Sequence, residues 1–124
     1  MHNVLLLSAG VTTGWHLAQV ARQYFADEIT LHLADINPRE LVPAAVLTEH
    51  YHQVPPLAQS GYEEAICQIL RQEHIDTIVP LIDQDLIRWA GDAPTLTALE
   101  VHSTAPVRRT AELLSDKEQM AAFL

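Results

Sequence analysis

Residues that could contact a ligand occur at three points of the chain, each directly after an apolar run. Ser8-Ala9-Gly10 is a small-residue turn, and the free N–H groups of such a turn and of a following helix would favour an anion. Asp35 could accept hydrogen bonds from a ribose. Asp83 and Asp85 form an acidic pair that could bind a cation or a substrate amine.

Each of these residues also has a purely structural explanation. Gly10 and Gly14 can serve only to allow a turn and close packing. Asp35 stands before an Asn-Pro pair, and such residues start turns well. Asp83 can cap a helix, with Asp85 in its first turn. The spacing alone leaves both explanations open.

The elements predicted around these residues alternate between strand and helix. Strands are predicted at Val4–Leu7, Ile29–Ala34, His50–Val54, Ile75–Pro80 and Leu99–His102. Helices are predicted from Thr12 or Thr13 to near Asp27, over Glu40–Thr48 and Gly61–Glu73, from Asp83 to Trp89, and after Thr104 and Ser115. This order predicts a three-layer, Rossmann-like α/β domain with a mainly parallel sheet of about five strands. The three candidate points should then meet at one rim of the sheet.

Length and composition narrow the class of protein. A chain of 124 residues forms one domain, and no apolar run approaches the roughly 20 residues of a membrane span. The net charge of −9 argues against a nucleic-acid partner. Cys67 is the single cysteine and no basic leader is present, so we expect a cytoplasmic protein without contact to a membrane.

Three other kinds of site were weighed. His50 and His52 would share a strand face, but a pair without a third ligand rarely binds a metal, so no metal site is predicted. A nicotinamide-binding oxidoreductase module could use Gly10, Gly14 and Asp35, although the third glycine of its fingerprint is missing. A phospho-acceptor receiver needs an acid at the end of its first strand, where this chain has a serine.

Four motifs occur in an order and at intervals that resemble the domain preceding an ATP-grasp fold. They are Val4–Gly10, Ala34-Asp35-Ile36-Asn37-Pro38, Val79–Leu86, and Asp116-Lys117 with Phe123-Leu124. The subgroup they resemble is that of carbamoyl-phosphate-synthase-like ATP-grasp proteins. The likeness implies a Rossmann-like pre-ATP-grasp domain over residues 1–114, with residues 115–124 beginning the helix that leads into an ATP-grasp domain.

The resemblance also implies a function for the parent protein. In such ligases ATP and Mg²⁺ activate a small-molecule carboxylate as an acyl phosphate, which an amine or related nucleophile attacks. Lys117 would reach the nucleotide, and the substrate cleft would include Ser8, Ala9, Gly10, Asp35, Asp83 and Asp85. Asp85 stands where the family usually has Glu. Catalysis would belong to the ATP-grasp domain, so residues 1–124 alone should be inactive and bind no cofactor tightly.

The last residues also bear on the expected partners. Met120, Ala121, Phe123 and Leu124 give an apolar helix face that no helix-ending glycine or asparagine follows. We therefore expect that a further domain follows Leu124, or that this face docks on a partner. A homodimer is compatible with the sequence.

Overall fold

The computed structural model of the chain describes residues 1–116. Its strands are β1 (His2–Leu6), β2 (Ile29–Asp35), β3 (His50–Gln53), β4 (Thr77–Val79) and β5 (His102–Ser103). Its helices are α1 (Thr12–Tyr24), α2 (Tyr62–Gln72), α3 (Asp83–Arg88), α4 (Pro94–Ala98) and α5 (Arg108–Ser115). Two short 3-10 helices, Arg39–Leu41 and Pro43–Leu47, connect β2 to β3.

All five strands form one parallel sheet in the order β3-β2-β1-β4-β5. Side chains of β1 alternate between its two faces: Leu5 packs into a core that includes Ile66 of α2, and Leu6 into a second core that includes Ala18 of α1. Helices therefore cover both faces of the sheet, as parallel strands require. The predicted three-layer, Rossmann-like fold is confirmed.

The centre of the fold follows the predicted pattern, with some shifts at the ends of elements. Two 3-10 helices, separated by Val42, stand where one helix over Glu40–Thr48 was expected, and Pro43 explains the break. It has no N–H to donate, and it begins the second 3-10 helix. Val11 precedes α1 and Ile82 precedes α3, without a side-chain cap at either helix. Thr12 thus begins α1 as expected, whereas Asp83 is the first residue of α3 and does not cap it.

The C-terminal third differs more from the prediction. The short helix α4 was not expected. The strand predicted over Leu99–His102 begins only at His102, because Leu99 belongs to the end of α4 and Glu100 turns the chain with a φ of 57°. Ser115 ends α5, and its hydroxyl donates to the Ala111 carbonyl across 2.8 Å. Ser115 thus lies at the end of a helix, whereas the start of one was predicted. The remainder of the predicted segment, residues 117–124, lies outside the described residues.

Within residues 1–116, every helix falls short of the length and apolar character needed to cross a membrane.

Candidate functional site

The turn after β1 is held closed by bonds within the chain. The N–H of Ala9 donates to Ala34 O, that of Gly10 to Asp35 Oδ2 across 2.8 Å, and that of Val11 to Ser8 O. Gly14 lets α1 approach this turn, since a Cβ there would lie 2.3 Å from Ala9 O. The expectation of free N–H groups for an anion is therefore wrong for these three residues, because each amide already has an acceptor.

Asp35 is the acceptor that organises the turn. It is only 6% exposed at the end of β2. Its Oδ2 accepts the Gly10 N–H, and its Oδ1 accepts the backbone N–H and the side-chain amide of Asn37, each across 3.0 Å. Its carboxylate thus joins the ends of β1 and β2, and both of its oxygens are already engaged.

Asp85 lies in the first turn of α3 and is 3% exposed. Ser8 Oγ donates to its Oδ2 across 2.6 Å, and Tyr62 OH lies 3.4 Å from its Oδ1. Trp89 Nε1 in turn donates to Tyr62 OH across 2.9 Å. These four residues form one continuous hydrogen-bonded network from the end of β1 through α3 to α2.

Burial dominates the electrostatics of this network. It raises the pKa of Asp85, and the negative charge of Asp35 raises it further, while the hydrogen bonds from Ser8 and Tyr62 oppose the shift. Burial and the nearby Asp85 charge raise the pKa of Tyr62, so its phenol is neutral and can donate. The site therefore holds a carboxyl group that is costly to ionise without a cation beside it.

Both networks border one cavity of about 570 Å³ at the carboxyl ends of β1 and β2. Its apolar lining comes mainly from five parts of the chain: Leu7 and Val11 around the first turn, Ile36 and Leu41 after β2, Val54 and Pro56–Ala58 after β3, Ile66 of α2, and Ile82 before α3. Its polar lining includes Ser8, Asp35, Asn37, Gln84 and Asp85. No Lys, Arg or His among residues 1–116 lines it. A mostly apolar cavity with a few converging polar groups is the usual form of a small-molecule site.

The structure brings together four of the residues expected in the substrate cleft: Ser8, Gly10, Asp35 and Asp85. Ala9 is fully buried in the core beneath the turn. Asp83 is exposed on α3 and does not line the cavity. The two acids fall on different sides because neighbouring positions of a helix point about 100° apart, so residues two apart do not share a face. Lys117 lies outside the described residues.

Tyr62 and Trp89 are the site residues that the sequence did not reveal. Tyr62 begins α2 and Trp89 follows α3, and both are buried. An aromatic residue with a polar tip at a helix end is a weak signal for a buried hydrogen bond. Only tertiary packing shows that the two side chains meet.

A histidine cluster lies away from the cavity on the α2 side of the sheet. The ring of His32 on β2 stacks on that of His50 at 4.5 Å between centroids, and its Nδ1 lies 3.3 Å from His52 Nε2. His32 thus lies beside His50 and His52 as a third histidine, which the sequence alone did not show. Even so, residues 1–116 contain no group of three or more His, Cys, Asp or Glu side chains arranged to hold a metal ion.

Comparison with known protein families shows which family the chain belongs to. The family model described as "PylC-like, N-terminal domain" matches residues 4–105, which include most of β1, all of β2 to β5 and the whole cavity lining. The chain belongs to the PylC-like N-terminal domain family. This is a family of pre-ATP-grasp domains of ATP-grasp ligases, as the order of motifs predicted. No curated protein shows significant similarity to the chain.

Among solved structures, this PylC-like domain is similar to dTDP-glucose 4,6-dehydratase from Bacillus anthracis, crystallised in complex with NAD. The TM-score is 0.52 and the sequence identity 13%; the match covers 72% of this chain and 33% of the dehydratase. The chain thus spans about a third of the length of that enzyme. A likeness at this identity shows a shared Rossmann-like fold and carries no activity over.

Proposed function

We propose that this chain is the substrate-side domain of an ATP-dependent carboxylate–amine ligase of the ATP-grasp superfamily, of the carbamoyl-phosphate-synthase-like kind. Membership of the PylC-like N-terminal domain family supports the ligase class. In such a protein this domain forms one wall of the substrate cleft, and the ATP-grasp domain that follows supplies the catalytic groups.

The cavity is the observation that carries this proposal. It places Asp35 and Asp85 among apolar side chains without a basic residue of the described chain beside them. Two buried carboxylates without a cation are unfavourable, and an ammonium group would relieve that cost. A carboxylate accepts at about four lone-pair positions, so Asp85 retains capacity beyond its bonds to Ser8 and Tyr62. We therefore assign the amine-bearing substrate to this cavity.

The acid substrate and the nucleotide need positive charges, which the cavity lacks. We propose that they bind outside residues 1–116, on the ATP-grasp domain and on Lys117. When bound there, ATP with Mg²⁺ activates the carboxylate as an acyl phosphate. The part of this domain is to bind the amine substrate, orient it and exclude water with the apolar lining.

The test uses the intact protein and trapping of the acyl phosphate with hydroxylamine. We expect hydroxamate formation that depends on ATP and on a carboxylate substrate, and none from residues 1–124 alone. Asp85→Asn in the intact protein should raise KM for the amine at least tenfold and leave hydroxamate formation unchanged. Asp83→Asn, an exposed acid two positions away, is the matched control. ATP-dependent acyl phosphate formation by residues 1–124 would refute the proposed division of roles.

The second candidate is a nicotinamide-binding module, which the shared fold with an NAD-bound dehydratase favours. Asp35 at the end of β2 has the position of a ribose-binding acid, but its two oxygens already accept hydrogen bonds from Gly10 and Asn37. Titration with NAD, followed by the fluorescence of Trp15, separates the candidates. Micromolar binding would favour the oxidoreductase, and we expect none.

A further inference from the structure

The cluster of His32, His50 and His52 links the edge strand β3 to the neighbouring strand β2. His32 and His50 are paired in register on neighbouring strands, with their rings stacked. His52 lies two residues further along β3 on the same face, and its ring nitrogen is 3.3 Å from that of His32. In neutral rings one nitrogen donates and the other accepts, whereas two imidazolium rings offer only donors. The contact therefore depends on at least one neutral ring.

Burial favours the neutral forms of His32 and His52. The pKa of His32 is lowered from 6.5 to about 4, mainly by burial and in addition by the positive charges that His50 and His52 would carry. The pKa of His52 is lowered as well, mainly by burial. Glu73, just after α2, is the opposing charge and raises the pKa of both residues. One carboxylate does not compensate two or three imidazolium groups.

The strand that carries two of these histidines also leads into the cavity wall. Within residues 1–116, β3 is four residues long, lies at the edge of the sheet and pairs only with β2. The next residue, Val54, donates its N–H to Asp35 O across 2.9 Å. Val54 and the residues Pro56, Leu57 and Ala58 then line the cavity. Displacement of β3 would therefore move one wall of the cavity.

We propose that the three histidines form a proton-operated latch: uptake of protons by the cluster releases β3 from β2 and opens the cavity wall formed by Val54–Ala58. When both His32 and His52 are protonated, neither ring nitrogen can accept, so the hydrogen bond between them is lost and like charges lie on rings in contact. The rest of the sheet, β1, β2, β4 and β5, stays paired, because its strands carry no part of the cluster besides His32. The latch is independent of which ligand the cavity takes.

Hydrogen exchange of the chain at pH 7 and pH 5 tests the latch, with protection expressed relative to unstructured peptide rates at each pH. A group whose pKa is 6.5 when released and about 4 when latched makes release about twentyfold more favourable at pH 5 than at pH 7. We expect the amides of β3 and of Val54 to lose about that factor of protection, while the amides of β1 and β4 keep theirs.

Three variants complete the experiment. His32→Leu should remove most of the pH dependence at β3. His52→Gln, at a partly buried site, should reduce it and serves if His32→Leu does not fold. His102→Gln, on the opposite edge strand β5 and exposed, should retain the full effect. Equal loss of protection across all strands, or an unchanged pH dependence in the folded His32 and His52 variants, would overturn the latch.

Discussion

Ser8 and Asp85, 77 positions apart in the chain, are joined by a hydrogen bond of 2.6 Å. Ser8 adopts a left-handed backbone with a φ of 52°, which is uncommon for a residue with a side chain. The bond fixes the end of β1 to the first turn of α3 and orients the Asp85 carboxylate at the cavity. A residue with a strained backbone in direct contact with a buried acid is typical of a binding site, where such features lower the stability of the fold.

Asp85→Asn should therefore stabilise the domain, by about 1 kcal/mol at pH 7, because it removes a buried charge and keeps the acceptor for Ser8. The gain should grow with pH. The folded-state pKa of Asp85 is raised above 3.8, so as pH rises past 3.8 the unfolded chain ionises first and the wild type loses stability relative to the variant. Urea unfolding at a series of pH values measures this difference.

The matched control is Asp83→Asn, since Asp83 is exposed in the same turn of α3. It should change the free energy of unfolding by only a few tenths of a kcal/mol, and in the destabilising direction, because the acid favours the helix N-terminus. A loss of stability in Asp85→Asn at neutral pH would show that the carboxylate contributes to the fold, and the argument for a binding role would fail.

Tyr62→Phe should destabilise the domain by about 1–3 kcal/mol, because the buried Trp89 Nε1–H loses its acceptor. Trp89 is 1% exposed, so water does not readily replace the phenol oxygen. Tyr24→Phe is the control, since Tyr24 is 66% exposed on α1 and should have little effect. Chemical unfolding of both variants gives the two values, and equal values would contradict the network.

The sequence predicted the parts of the site that lie at the ends of strands. Asp35 and the turn at Ser8 to Gly10 could be placed because a parallel sheet brings the carboxyl ends of its strands to one rim. Asp85 was identified with them, but Asp83 could not be separated from it. The first turn of α3 begins at Asp83, one residue earlier than a cap at Asp83 would require.

Contacts between elements that are distant in the chain could not be predicted from the sequence. His32 lies in an apolar strand and gives no sign that it will meet His50, because the pairing of β2 with β3 depends on register. Tyr62 and Trp89 meet only through the packing of α2 beside α3. Likewise, Leu17 and Tyr24 are apolar or aromatic residues of α1 and yet are exposed, because α1 contacts the sheet through the small residues Gly14 and Ala18.

Asp35→Asn should destabilise the domain by about 1–3 kcal/mol. Its two oxygens accept only N–H donors, from Gly10 and Asn37, so an amide nitrogen in place of either oxygen would face a donor and leave it unpaired. Asp27→Asn, at an exposed position after α1, should be nearly neutral. Thermal unfolding of both variants, with amide chemical shifts of Gly10 and Asn37, tests this. Unchanged shifts at Gly10 would contradict the role given to Asp35.

Gly14→Ala should cost more than 2 kcal/mol, or prevent folding, because the added Cβ would lie 2.3 Å from the backbone oxygen of Ala9 and 2.9 Å from its carbonyl carbon. Neither atom is a flexible side chain, so relief requires α1 to move away from the turn and to carry Ala18 out of the core. Thr13→Ala, one position earlier on an exposed face, makes no such contact and should lie within about 0.5 kcal/mol of the wild type. If Gly14→Ala is as stable as Thr13→Ala in urea unfolding, then α1 does not pack on the turn as closely as the structure shows, and the shape of the cavity at Gly10 and Val11 must differ as well.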